Sequence, residues 1–398
     1  MKTISNRIQG LSESQTIAMS QKSAELKAQG KDIINLSVGQ PDFHTPDHIK
    51  QAAIQAIHDN YTSYTPVPGY RDLREAIAGK LQQENNLPYT WEQIVVSAGA
   101  KHSLANAIMS LVDPGDEVIV PAPYWVSYVE QVKLAEGKNV VVPTSIDNQF
   151  KLQPEQLKQA ITEKTRALIL CSPSNPTGSI YSRQELRALA DVIAQANPNI
   201  YVISDEIYEY INFEGSHESI AQFEDIRDQV ILVNGVSKGF AMTGWRIGYI
   251  AAPLDIAKAC SKLQGQVTSG ACSIAQRAAL NALKSDKSFT RQMKEAIKRR
   301  RNLVMDGRDQ IKGVKKYTPQ GAFYLFPDIS AFFGKSNGNR TIENDSDLCF
   351  YLLEEAHVAL VPGSAFGSPH NIRLSYAASD EELKEALIRM KTHLDKLR

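Results

Sequence analysis

Seven short β-rich runs punctuate the first two thirds of the chain: Ile94–Ser97, Glu117–Val120, Val140–Val142, Ala167–Cys171, Tyr201–Ser204, Val230–Val233 and Arg246–Ala251. Runs such as A-L-I-L and Y-V-I-S are apolar at both odd and even positions. A strand with one wet face alternates, so these strands are expected to be covered on both sides. Helical patterns lie between several of them, for example Ser103–Leu111 and Arg183–Ala196. That alternation predicts an α/β domain built on a mostly parallel sheet, with chemistry beyond the carboxyl ends of its strands.

Beyond about residue 280 the texture changes. A long helical pattern rich in arginine and lysine, Phe289 to Ile311, leads into Gly321–Leu325. A polar loop (Lys335–Asp345), a helix near Leu348–Ala356, a strand near Ala359–Val361 and a final helix from Asp380 follow. This reads as a smaller α+β domain. A helix over Ser14–Gln29 stands outside the sheet domain and is expected to join the smaller one. The expected division is therefore 1–40 (arm), 41–285 (large domain) and 286–398 (small domain).

With 398 residues, two or three domains are expected. Lysine plus arginine balances aspartate plus glutamate at 44 each, which gives no electrostatic reason to expect nucleic acid or an anionic membrane as partner. Cys171, Cys260, Cys272 and Cys349 form no C-x-x-C pair, so reduced thiols are the simpler reading. The polar start lacks the apolar stretch of a signal peptide, and no run approaches the ~18 apolar residues of a membrane span. A cytoplasmic location is expected.

Four strand-end positions carry the chemistry. The loop S-P-S-N-P-T-G after Ala167–Cys171 must end its strand, because Pro173 and Pro176 cannot donate to a ladder, and it displays Asn175. Taken alone, this is also an ordinary turn. Asp205 emerges from Y-V-I-S with Tyr208 three residues on. A carboxylate at a core edge needs a partner, which a pyridinium nitrogen, a helix N-terminus or a core cation would supply. Lys238, in G-V-S-K-G-F, lies in a glycine-flanked turn past another strand, a setting suited to a Schiff-base amine. Arg246, in M-T-G-W-R-I-G-Y, has apolar neighbours, and a phosphate would satisfy its fork of donors.

These four lie 30, 33 and 8 residues apart. In that order and spacing the chain resembles the class I, fold-type I aminotransferases dependent on pyridoxal 5'-phosphate, and most closely the bacterial aspartate aminotransferase subgroup Ib. The resemblance runs from V-G-Q-P-D-F-H-T-P (Val38–Pro46) to N-I-R-L-S-Y (Asn371–Tyr376), and S-K-G-F-A-M-T-G-W-R-I-G closely follows the family's cofactor-lysine signature. It implies a large domain with a seven-stranded sheet. It also implies that Lys238 forms the Schiff base and moves the substrate proton. Asp205 would hold the ring nitrogen, Asn175 and Tyr208 the phenolic oxygen, and Trp125 would stack on the ring. Gly99, Ala100, Lys101, Ser237 and Arg246 would complete the cofactor site around the phosphate, and Tyr64 would reach the phosphate of a neighbouring subunit, making a homodimer with shared sites. Read without the resemblance, Trp125 is core packing and Tyr64 a loop tyrosine.

For the substrate, Arg373 and the backbone at Gly39 match the positions that bind the α-carboxylate, alongside Trp125 and Asn175; a plain salt bridge is the other reading of Arg373. Lys101, Ser14 and Thr16 match the segments credited with the distal carboxylate of a dicarboxylic amino acid. The expected reaction moves an amino group from L-aspartate to 2-oxoglutarate. His102 stands where subgroup members carry glutamine, and Gln266–Ser273 is not a close copy of theirs. An aromatic, prephenate or methionine aminotransferase is therefore the alternative. A lyase dependent on the same cofactor and a non-catalytic sensor domain are remoter readings, and the latter lacks a DNA-binding extension here.

Overall fold

The computed structural model of this chain describes residues 4–12, 15–315 and 317–398. Twelve strands are formed among them: β1 (Ile34–Asn35), β2 (Ile94–Ser97), β3 (Glu117–Ala122), β4 (Lys138–Pro143), β5 (Thr165–Cys171), β6 (Tyr201–Asp205), β7 (Val230–Gly235), β8 (Gly248–Ala251), β9 (Tyr324–Leu325), β10 (Val358–Ala359), β11 (Val361–Pro362) and β12 (Ile372–Ser375). Seven of them build one sheet in the order β2-β8-β7-β6-β5-β3-β4. Neighbours are parallel except at β8, which runs antiparallel to both β2 and β7.

The two apolar parities of each strand go to different cores. In β7, Val230 and Leu232 face a cluster that includes Leu73, Ile77, Leu186 and Ile193. Ile231 and Val233 face another, with Leu104, Ile108, Val132 and Cys260. Helices therefore cover both faces, as the unbroken apolar runs require. The helix Arg183–Gln195 shows how local sequence fixes its place. Ser182 caps it and forms a capping box with Glu185, while Leu186, Leu189, Ala190 and Ile193 form its buried stripe.

Remaining strands form two small sheets. β1 pairs in parallel with β10, which ties the segment after the first long helix, Gln15–Ala28, to the C-terminal region. β9, β12 and β11 form an antiparallel sheet of three. A third core, with Met293, Ile297, Phe323, Leu352, Val358 and Leu383, gathers the helices Ser288–Arg308, Asp345–Glu354 and Asp380–Leu394.

Three expectations shift. The run Arg246–Ala251 becomes strand only from Gly248, because Arg246 sits in the left-handed region (φ 57°) after a tight turn. The run near Ala359–Val361 divides into β10 and β11, which belong to different sheets, and Pro362 has no N–H to continue a ladder. Asp345 is not loop: the Asn344 side chain accepts from Asp347 N at 2.9 Å and starts the helix there.

Candidate active site

A cavity of about 340 Å³ opens at the carboxyl ends of β5, β6 and β7. Asn175, Asp205, Tyr208, Ser237, Lys238 and Arg246 line it, with Ala100, Lys101 and Trp125 at one side and Gly39 and Arg373 at the other. Residues far apart in sequence converge here because parallel strands all point their carboxyl ends to one edge.

Asp205 ends β6 and is almost wholly buried. It accepts from the Tyr128 hydroxyl at 2.6 Å and from Ile207 N at 3.3 Å. No described lysine or arginine forms an ion pair with it. Burial pushes its carboxyl up to about 6, against the two hydrogen bonds that pull it down. Lys238, in the turn after β7, donates to the Gly39 carbonyl at 2.6 Å. Burial, then the charges of Arg373 and Arg246, bring its amine down to about 8. A desolvated amine and a desolvated carboxylate thus share one cavity.

Arg373, from β12, is 2% exposed. Its Nη1 donates to Asn175 Oδ1 at 3.0 Å and its Nη2 to Ser37 O at 2.6 Å, while Nε is buried without a partner. The guanidinium lies over the rings of Tyr324 (4.6 Å) and Phe366 (4.9 Å). A buried arginine with a free donor and no carboxylate partner among the described residues is suited to binding an anion.

Gly99 caps the helix Ala100–Leu111 with φ 88°, and a Cβ there would collide with the Arg246 guanidinium. That guanidinium, solvent-exposed in the isolated chain, donates to Thr243 O and Ala98 O. The first N–H groups of a helix have no carbonyl partner within it, so cation and helix start form an anion cradle. Lys101 follows with its ammonium 4.8 Å from the Trp125 ring. Its amine is held below the usual range by burial and then by Arg246.

Tyr64 does not join the cavity; it is 98% exposed on the surface. Ser14, and the side chain of Thr16, lie outside the described residues. The helix Gln15–Ala28 does bring Ile17 to the cavity. Sequence reasoning missed Tyr128 and Tyr324. The signal for Tyr128 was present, since it lies one helical turn after Trp125 and edge-on to it at 5.5 Å. Tyr324 reaches the cavity only through the pairing of β9 with β12.

Residues 31–390 match the family model described as aminotransferase class I and II. The chain belongs to this family. The aspartate aminotransferase of Geobacillus stearothermophilus is 47% identical to this aminotransferase over 389 residues, covering 97% of this chain and 98% of that one. The aspartate/prephenate aminotransferase of Cereibacter sphaeroides is 46% identical over 393 residues, covering 98% of each. The crystal structure of the aspartate aminotransferase from Rhizobium meliloti superposes on the enzyme with a TM-score of 0.97 and 43% identity, covering 100% of both chains. The α/β fold with its mostly parallel sheet is therefore that of the aspartate aminotransferases.

Proposed function

We propose that this enzyme transfers the amino group of L-aspartate to 2-oxoglutarate, giving oxaloacetate and L-glutamate, with pyridoxal 5'-phosphate as cofactor. The carrying observation is the meeting of the Lys238 amine, the buried Asp205 carboxylate and the Arg373 guanidinium with its unpartnered Nε in one cavity. The donors fit the cofactor. Asp205 would hold the ring nitrogen, Asn175 and Tyr208 the phenolic oxygen, Trp125 the ring face, and Gly99, Ala100, Lys101, Ser237 and Arg246 the phosphate side. When bound, the cofactor supplies an electron-withdrawing ring that takes up the electron pair left as a proton departs from the α-carbon.

The chain's own residues do the rest. Arg373 and the backbone at Gly39 orient the α-carboxylate, and a two-point grip fixes which α-carbon bond faces the ring plane. Lys238, its amine lowered to about 8, is neutral in roughly one molecule in ten at pH 7, far more than an ordinary lysine, and would remove the α-proton and return it. Asp205, anchored by Tyr128, stays ionised against a ring cation although burial opposes it. Lys101 receives the distal carboxylate, with Ser14 and Thr16 in the segment that closes over it.

Tyr64 serves a second subunit, which accounts for an aromatic side chain 98% exposed in the isolated chain. The functional unit is then a homodimer with shared sites. Its division is 1–40, 41–285 and 286–398: Met19, Leu26, Ile33 and Leu36 of the arm share a core with the C-terminal part, which Ile207, Tyr208, Ile211 and Phe213 of the large domain also join, while two further cores lie within the large domain. Among the described residues no helix is long and apolar enough to cross a membrane, and the free cysteines suit a reducing cytoplasm.

The test is a half-reaction screen in which single amino acids are added to the loaded protein while its visible absorption is followed. Aspartate and glutamate should bleach the band rapidly, and 2-oxoglutarate should restore it. Bleaching mainly by aromatic or sulfur amino acids would keep the chemistry and replace the substrate. The aspartate/prephenate relatives favour a different second reading, in which aspartate still bleaches the band and prephenate also restores it.

A further inference from the structure

Tyr324 is absent from the roles assigned above, yet it touches three of their bearers. Its hydroxyl lies 2.8 Å from the Tyr208 hydroxyl, and both residues are buried. The Arg373 guanidinium stands over its ring at 4.6 Å. A Cβ on Gly39 would come within 2.6 Å of its hydroxyl oxygen, so the chain reserves that space by placing a glycine there. The same Gly39 offers its carbonyl to Lys238. The ring itself is fixed on β9, tilted against Phe323 at 4.7 Å, and paired through Ser375 to the strand that carries Arg373.

A phenol has one proton to give and lone pairs to receive. Two phenols at 2.8 Å on the buried wall of the cavity must settle which of them donates. The charged and titratable groups facing the pair are Arg373 from β12, Lys238 from the turn after β7 and Cys171 from β5. Burial followed by Tyr324 itself raises Tyr208 well above the usual phenol range; Arg373 opposes burial in both, as the second cause after burial for Tyr324 and as the last for Tyr208. The cation over its ring makes Tyr324 the better donor of the two.

We propose that Tyr324 is a positioning residue for Tyr208: its hydroxyl donates to the Tyr208 oxygen and so leaves the Tyr208 proton for the phenolic oxygen of the bound cofactor. The inference rests on the cofactor reading above. A hydroxyl that accepts one hydrogen bond is a stronger donor of the next. Tyr324 therefore helps to keep the phenolic oxygen stabilised as an anion, which lowers the proton affinity of the lysine–cofactor linkage without any contact between Tyr324 and the cofactor.

The experiment is a pH titration of the visible absorption of the full-length protein loaded with pyridoxal 5'-phosphate, for wild type, Tyr324→Phe, Tyr208→Phe and the double variant. Tyr324→Phe keeps the ring and its contacts, and its melting temperature and dissociation constant for pyridoxal 5'-phosphate are measured alongside. The midpoint is expected to rise by roughly half a pH unit in Tyr324→Phe, about a threefold gain in proton affinity. In the Tyr208→Phe background the second change is expected to add nothing, because its route is gone. An unmoved or lowered midpoint in Tyr324→Phe overturns the proposal, and so do shifts that simply add in the double variant. Absence of a visible band in the wild type would instead overturn the cofactor reading, which keeps the two failures apart.

Discussion

Burial raises the Asp205 carboxyl to about 6 from an ordinary 3.8, and the hydrogen bonds from Tyr128 and Ile207 recover only part of that shift. The folded chain thus holds this proton more tightly than the unfolded chain. The contribution of Asp205 to stability falls as pH rises from about 4 to about 6 and stays lower above. Replacing Asp205 with Asn should therefore raise the melting temperature of the cofactor-free protein at pH 7.5 by a few degrees, from at most about 3 kcal/mol. The gain should vanish near pH 4, where the native carboxyl is already neutral. Affinity for pyridoxal 5'-phosphate should move the opposite way. A variant neither more stable at pH 7.5 nor weaker for the cofactor would contradict the assignment of Asp205. Site and fold are in conflict at this residue, as is common where function requires an uncomfortable group.

Among the elements, the start of the helix Ala100–Leu111 is the tightest junction. Gly99 has φ 88° and no room for a Cβ beside Arg246, and Gly248 in β8 likewise has no room beside Ala100. Gly99→Ala should push the guanidinium aside and weaken pyridoxal 5'-phosphate binding by roughly tenfold or more. Equilibrium titration with the cofactor checks this, and unchanged affinity would remove the turn from the phosphate site. Strands and their order of chemistry were legible because doubly covered strands write themselves as unbroken apolar runs. Asn175, Asp205, Lys238 and Arg246 followed from the ends of those runs. What stayed hidden needed pairing information. Nothing local in V-A-L-V-P tells that Val358–Ala359 joins β1 while Val361–Pro362 joins β12. Tyr324 belongs to the same class, since only the register Ser375 to Tyr324 brings it beneath Arg373.

Viewed as a whole molecule, the isolated chain leaves Tyr64 unused, 98% exposed and remote from its own cavity. A shared site makes a mixing experiment decisive. Protein carrying Tyr64→Ala and protein carrying Lys238→Ala should each be nearly inactive. Mixed and allowed to exchange subunits, they should regain activity, because in the hybrid one site receives a native Lys238 and a native Tyr64. Absence of any recovery after demonstrated exchange would return Tyr64 to the status of a surface residue.

The distribution of the site along the chain also sets a timetable. β2 to β8, with Asp205, Lys238 and Arg246 at or beside their ends, all lie before residue 252, whereas Arg373 lies on β12, far downstream. During synthesis the seat for the cofactor is therefore spelled out long before the grip for a substrate exists. With the proposed roles, a nascent chain would pass through a stage in which Lys238 has been made but the Arg373 grip on the α-carboxylate has not, and β12 would complete the set.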